Sequence, residues 1–327
     1  MIEEINVSGR NIPHVYPHLE LWHWPIPVYL FLGGLAAGIL FFAAINFLTG
    51  KAEQREVTTK WTPFVVPVLL MVGLAALFYD LSNKLFFWQL YTTIRLDSPM
   101  SWGAWVLLLI TPLSILWCMT YLKEGLALLE KKSGYDSIVR LGNTLLDIKL
   151  IKSIVDLATQ YRAAMAWGLL LLSLILGIYT GILLSAFNAR PLWNTSILGP
   201  LFLLSGLSAA AGLNMWMTNN YNERKLFGQI DLVLIAMELV LIIHMFMGFR
   251  AGSEVSIQTA DLFLGGEFTF AFWGLVVGLG LVFPAILEVL KLRGKKIHIA
   301  IPASLILLGG IIFRFIMVEA GQVSAYL

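Results

Sequence analysis

The sequence is short of charge. Only 13% of its 327 residues are Asp, Glu, Lys or Arg, against 58% apolar residues. Soluble domains carry roughly 25% charged residues because their surfaces must be hydrated, which excludes an ordinary water-soluble fold. Cysteine is scarcer still, with Cys118 the only one. A single thiol closes no disulfide within the chain. An iron–sulfur cluster takes about four thiolates, so any cluster that serves this protein belongs to another subunit, and Cys118 reads as a small buried apolar residue. Of the five histidines, His14, His18, His23, His244 and His298, only His244 falls well inside an apolar run. That leaves no histidine pair for a haem between helices. The net charge of +2 is too small to argue for nucleic acid. Residues 1–20 carry Glu3, Glu4, Arg10 and Glu20 and no apolar core, so they do not read as a cleavable signal.

What is abundant is long apolar sequence, with a mean hydropathy of +0.81. A helix needs about 20 apolar residues to cross a bilayer. Eight stretches qualify, near 26–48, 61–82, 101–122, 164–187, 197–217, 230–249, 268–290 and 298–319. The expected fold is an all-α integral membrane protein with eight spans, multi-pass in a bacterial or archaeal cytoplasmic membrane, with lipid as its first partner. Lys and Arg resist translocation. Sixteen of the 22 lie in the loops after the first, third, fifth and seventh spans, and five in the N-terminal tail and the other loops. Both termini are therefore expected outside the cytoplasm.

The longest loop, 123–163, contains a segment from Ser137 to Ala158 with apolar residues at helical spacing and Arg140, Lys149 and Lys152 between them. It reads as one basic amphipathic helix on the cytoplasmic surface, with a docking site for a soluble partner as the alternative. A faint repeat is also present: Gly33-Gly34-Leu35-Ala36-Ala37 resembles Ser205-Gly206-Leu207-Ser208-Ala209, and Pro27 and Pro200 precede them. Either the chain is a duplication of a four-helix unit or small residues simply recur at helix contacts. The duplication divides the chain into an outer tail at 1–25, a first four-helix bundle at 26–190 and a second at 191–327.

Ionisable groups within spans are costly, about 2.5–3.5 kcal/mol on insertion scales, and so mark either ion pairs or function. They are Asp80, Glu238, His244, Arg314 and Glu319. Structural pairing is one reading of Arg314. Proton transfer is the other, and it extends to Asp80, Glu238 and Glu319. At the outer face the topology gathers Trp22, His23, Trp24 and Tyr29 with Asp80 and Trp88, then Trp102 and Trp105, and then Arg190, Trp193 and Asn194. The tryptophans fit an interfacial belt. Tyr179, placed about 12–16 Å below the surface at 1.5 Å per residue, is too deep for a belt, and its hydroxyl needs a partner.

Four strings in this cluster carry a resemblance. They are Trp22-His23-Trp24 with Tyr29 through Gly38; Ser98-Pro99 with Trp102-Gly103-Ala104-Trp105; Tyr179 with Asn188-Ala189-Arg190-Pro191-Leu192-Trp193-Asn194; and Arg314 with Ala320-Gly321-Gln322. In order and over nearly the whole chain, the sequence resembles the NrfD/PsrC family, the quinone-handling membrane subunits of molybdoenzyme complexes. The resemblance implies a membrane anchor that exchanges electrons between menaquinone or menaquinol and a ferredoxin-like four-cluster iron–sulfur subunit. That subunit serves a molybdopterin catalytic subunit acting on polysulfide, sulfur, thiosulfate or another oxyanion. The family's pocket uses an Asn and a His on the first span and a Tyr on the fourth. The Tyr maps to Tyr179, whereas Tyr29 stands at the His position and Ile26 at the Asn position. The implied quinone residues are therefore Tyr179 and Tyr29, with His23, Trp22, Asp80 and Trp102 around them. Arg190, Trp193, Asn194 and Trp88 are the implied docking rim. A secondary transporter, or a membrane subunit of a hydrogenase or of alternative complex III, is the alternative reading of the chain.

Overall fold

The computed structural model describes residues 22–131 and 134–324. The tail residues Arg10, His14, His18 and Glu20, and Lys132 in the long loop, lie outside the described residues. Eight helices are long and apolar enough to cross a membrane: Pro25–Leu48, Val57–Asp80, Pro99–Glu130, Arg162–Ser185, Leu198–Met217, Tyr221–Arg250, Phe270–Leu292 and Ala300–Val323. These are the eight stretches expected from hydropathy. The third runs on to Glu130, and the sixth begins at Tyr221, because charged residues continue each helix past its apolar part. The fourth ends at Ser185, two residues short of the expectation. Tyr179 therefore lies six residues inside its end, about 9 Å at 1.5 Å per residue, shallower than expected. Among the described residues there is no strand.

The expected single surface helix is two, Asp136–Asp147 and Lys149–Gln160. The chain breaks at Ile148, whose backbone is extended (φ −65, ψ 118). The reason is reach. A straight helix across Ser137–Ala158 would run about 33 Å at 1.5 Å per residue. The chain, however, must return from the third span to the fourth, and those two pack side by side. Folded back, both helices lie on the third span: a Cβ on Gly142 would be 2.7 Å from the Leu126 side chain. Ile138, Leu141, Leu150 and Leu157 remain exposed, consistent with an apolar face turned to lipid.

The spans are not equally placed. In their most apolar windows the first and fifth are 78% and 83% buried, against 33% for the second and seventh. The first and fifth are therefore the central pair. Lipid supplies no hydrophobic drive between helices, so close packing of small residues must hold them. A Cβ on Gly38 would lie 2.5 Å from the Gly206 carbonyl and 2.6 Å from the Ala210 Cβ, and one on Gly206 would lie 2.7 Å from the Gly34 carbonyl. Backbone touches backbone; Gly34 and Gly206 belong to the faint repeat, and Gly38 and Ala210 directly follow its two copies. The surrounding contacts also recur. The first span packs on the second and fourth, and the fifth on the sixth and eighth. The third packs on the fourth, and the seventh on the eighth.

At the face carrying the Lys- and Arg-rich loops, buried polar groups tie the two central spans' connections together. Glu223 accepts from the Thr58 amide at 3.0 Å, from its hydroxyl at 2.6 Å and from the Thr218 hydroxyl at 2.6 Å. Lys60, 3% exposed, is paired with Glu53 at 3.0 Å and Glu124 at 2.8 Å. Cys118 is buried, as expected, with its thiol donating to the Pro63 carbonyl at 3.3 Å.

Gly206→Leu should therefore separate the central spans. We expect the detergent-solubilised protein to melt lower by an amount corresponding to about 1–3 kcal/mol or more of overpacking. Gly248→Ala, where nothing lies within 4 Å of the added carbon, should leave the melting temperature unchanged. Equal behaviour of the two variants in a thermal unfolding assay would count against a backbone-to-backbone crossing.

Candidate functional site

The opposite, aromatic face is closed by a bond between the two ends of the described chain. The Trp22 amide donates to Gln322 Oε1 at 2.8 Å, and Gln322 Nε2 donates back to the Trp22 carbonyl at 2.9 Å. The Trp22 ring packs on Phe187 at 4.8 Å and on Trp193 at 5.2 Å. Trp193 is 1% exposed, and its indole N–H donates to the Met317 carbonyl at 2.8 Å. It can sit there because residue 321 is Gly: a Cβ would fall inside its ring. Arg190 is buried too and donates to the Ser324 carbonyl at 2.8 Å. Two of the four residues expected on a docking rim are thus internal braces. Their hydrogen-bonding groups turn inward to backbone carbonyls of the last span, which corrects that placement. Asn194 and Trp88 do face outward.

The residues expected around one pocket divide between two clefts and a buried pair. Tyr179 and Trp102 line a cleft of about 440 Å³ with Leu96, Asp97, Val106 and Ile178 among the walls. Trp22 and His23 line another of about 330 Å³, between the first and eighth spans, with Glu319 and Gln322. Tyr29, 3% exposed, stands behind Tyr179, and the two phenols interact. Glycines seat both rings. A Cβ on Gly103 would overlap the Tyr179 ring, and one on Gly73 would touch Tyr29 at 3.7 Å. Asp80 is half-buried and faces His23, outside both clefts. Asp97 was not singled out in the sequence. Its position just before Ser98-Pro99 and Trp102, where the third span begins, was the available signal.

A third assembly occupies the interior of the second half. Arg314, 1% exposed, donates to the Ser205 hydroxyl at 2.6 Å and to the Phe202 carbonyl at 3.0 Å, and its guanidinium lies 4.5 Å from the Phe202 ring centre. Glu238 faces both Arg314 and Asp231. Asp231 accepts from the Ser208 hydroxyl at 2.5 Å and meets the carboxyl of Glu288. Ser205, Ser208 and Glu238 border a cavity of about 10 Å³, about the space that one water needs. Among the described residues, Glu238 Oε1 has no hydrogen-bond partner, and the Asp231 and Glu288 carboxyls meet only each other and the Ser208 hydroxyl. Arg314 and Glu238 are thus buried as expected. Glu319 and His244 are exposed instead, since their helices turn them away from the bundle. Asp231 and Glu288 were missed because each sits near a span end. Asp231 and Glu238 are seven residues apart, hence on one helix face, which was the signal for the first of them.

Eight apolar helices, buried carboxyls in the bundle and a tyrosine-walled cleft at its aromatic face define a multi-pass membrane protein with polar chemistry inside. Among the described residues no group of three or more His, Cys, Asp or Glu is arranged to hold a metal. The family model described as "Polysulphide reductase, NrfD" matches residues 13–325. The chain belongs to that family, the membrane subunits of redox enzyme complexes, and is a multi-pass protein of the bacterial cytoplasmic membrane. It is 31% identical to a chain of the polysulfide reductase of Wolinella succinogenes, over 92% of this chain and 94% of that protein. It is 28% identical to Protein NrfD of Escherichia coli, over 94% and 97%. It is 23% identical to a subunit of the selenate reductase of Mesobacillus selenatarsenatis, over 95% and 75%.

The Gly103–Tyr179 seat gives a direct check on the cleft. Gly103→Ala should lower thermal stability by about 1–3 kcal/mol. In the Tyr179→Ala background, where the ring is gone, the same change should cost almost nothing. A double-mutant cycle of melting temperatures with no coupling between the two positions would show that the ring does not rest on Gly103.

Proposed function

We propose that this chain is the quinone-interacting anchor of a respiratory reductase complex, with its quinone site in the cleft walled by Tyr179 and Trp102. The observation that carries the reading is that cleft. Its walls are almost wholly apolar, as a quinone ring and tail require, and the Tyr179 hydroxyl supplies a hydrogen bond for a quinone oxygen. Tyr29 holds that hydroxyl from behind, in the place where the family's pocket has a histidine. His23 and Trp22 then belong to a neighbouring cleft and act at one remove.

The positive-inside rule turns the aromatic face outward, where the partner subunits dock. Trp88 and Asn194 are the rim residues available to a ferredoxin-like iron–sulfur subunit, which links the anchor to a molybdopterin catalytic subunit. The names of the polysulfide and selenate reductase relatives support a complex of this type, with menaquinone as the lipid-soluble carrier. The recurring helix contacts support two four-helix halves, at 26–190 and 191–327.

The second half carries protons in this reading. Glu288, Asp231, Ser208, Glu238, Ser205 and Arg314 form a buried polar ladder from the basic face toward the first span, ending where Arg314 Nη2 lies 3.5 Å from a Cβ placed on Gly34. Asp231 and Glu288 meet each other, and a cavity with room for about one water adjoins Glu238, which supports this reading over purely structural ion pairing.

Tyr179→Phe tests the site. It keeps the ring and removes a hydrogen bond worth about 0.5–1.5 kcal/mol. Quinol-driven turnover should fall several-fold, whereas electron transfer from a soluble dye to the catalytic subunit should be unchanged. Equal retention of both activities would remove Tyr179 from the quinone site.

Glu238→Gln tests the ladder. The complex should assemble and keep its dye-driven activity, and quinol-linked turnover should slow. Loss of assembled complex, with normal specific activity in what remains, would make Glu238 a structural residue.

A further inference from the structure

We propose that Asp97 is the residue that takes up the protons of the quinol in the Tyr179 cleft, a role that rests on the quinone reading of that cleft. Oxidising a quinol releases two electrons and two protons. The electrons leave for an iron–sulfur acceptor on the docked partner, and each proton needs a base within hydrogen-bond reach. The cleft walls are Leu96, Pro99, Val106, Ile175, Ile178 and Ile182 with Trp102, Tyr179 and Asp97. The aliphatic residues and Pro99 accept nothing, and the indole of Trp102 only donates. Its N–H is in any case committed to the Leu96 carbonyl at 2.9 Å. A phenol can donate to a quinone oxygen and pass a proton along, but it is a poor final acceptor at neutral pH. That leaves the Asp97 carboxylate as the base.

Its position suits the task. Asp97 is exposed, at the mouth of the cleft on the aromatic face, so a proton taken from inside can be released to water. The loop that carries it is fixed. The Ser101 hydroxyl donates to the Thr93 carbonyl at 3.3 Å and accepts from the Arg95 amide at 3.2 Å, and the Ser98 amide donates to the Arg95 carbonyl at 3.3 Å. With the Trp102 bond, these hold residues 93–98 against the start of the third span. No hydrogen bond or ion pair engages the Asp97 carboxylate among the described residues. The other acidic residues of this face are elsewhere: Asp80 faces His23, Glu319 lines the neighbouring cleft, Asp261 pairs with Arg250, and Glu254 and Glu267 lie in the loop after the sixth span.

Oxidation takes two steps. In the first, one quinol O–H bond breaks as an O–H bond forms on Asp97, and an electron leaves for the cluster. Asp97 then releases its proton to water and accepts the second, which the Tyr179 hydroxyl passes on from the opposite quinol oxygen, as the second electron leaves. Quinone reduction runs the same steps backward, with Asp97 as the proton donor.

The test uses the intact membrane complex and a short-chain menaquinol analogue. Asp97→Asn and Asp97→Ser should each cut the maximal quinol-driven rate at least about 100-fold, the low end of a general base's contribution. Dye-driven activity should be unchanged. Binding of the oxidised analogue, read as quenching of Trp102 fluorescence against a Trp102→Phe control, should stay within about two-fold of wild type, and Asp97→Glu should recover part of the rate. If both variants keep the wild-type quinol rate while Tyr179→Phe loses it, Asp97 is not the base and the cleft stands. If the quinol rate survives in all three, the quinone reading of the cleft falls as well. Loss of analogue binding in step with the rate would make Asp97 a binding residue and overturn the assignment.

Discussion

Everything in this molecule is arranged around the contact between the first and fifth spans. In water, two apolar helices are driven together by the surface they bury. In lipid that drive is gone, because acyl chains are as apolar as leucine. The remaining attraction is dispersion, which is short-ranged and needs many atoms close together. Gly34, Gly38 and Gly206 allow that closeness by presenting bare backbone. Once the central pair is joined, the other spans have fixed faces to pack on. The fourth brings Tyr179 beside Tyr29, and the eighth brings Arg314 beside Ser205.

The same crossing separates two kinds of interior. On one side of it aromatic rings rest on glycines, leaving an apolar slot with one hydroxyl at its wall. On the other, carboxyls and a guanidinium sit where charge is costly. The ladder does not run unbroken into the slot. Between Arg314 and Tyr29 the first span offers Leu30 and the glycines 33 and 34 rather than polar side chains. In the proposed reading, coupling between the two halves passes through the packing of the first span, where Gly34 and Gly38 meet Gly206.

Much of this was legible in the sequence, for physical reasons. The bilayer imposes a length on each apolar stretch, so the eight spans could be read directly, and two of the glycines at the central crossing, Gly34 and Gly206, lie in the small-residue strings that resemble each other. Tyr179, Tyr29, Glu238 and Arg314 were identifiable because polar groups at depth stand out against an apolar background. Rotation about a helix axis was harder to read. Glu319 and His244 lie within their spans and yet point outward, while Trp193 and Arg190 lie in a loop and are buried. Hydropathy reports depth and not direction. The break at Ile148 was invisible because the apolar periodicity continues through it, and only the distance between the third and fourth spans demands a fold there. Asp97 was hidden among the ordinary polar residues of a loop.

The bond between Trp22 and Gln322 has a consequence for how the protein is made. Its partners are 300 residues apart, so the ribosome has nearly finished the chain before the first span can be capped. At about 5–20 residues per second, the start of that span waits on the order of 15–60 s with its backbone amide and carbonyl uncommitted. Throughout that interval the nascent chain is distinguishable from the finished one at a single spot on the aromatic face. Closing that spot requires the eighth helix to be in place beside the first.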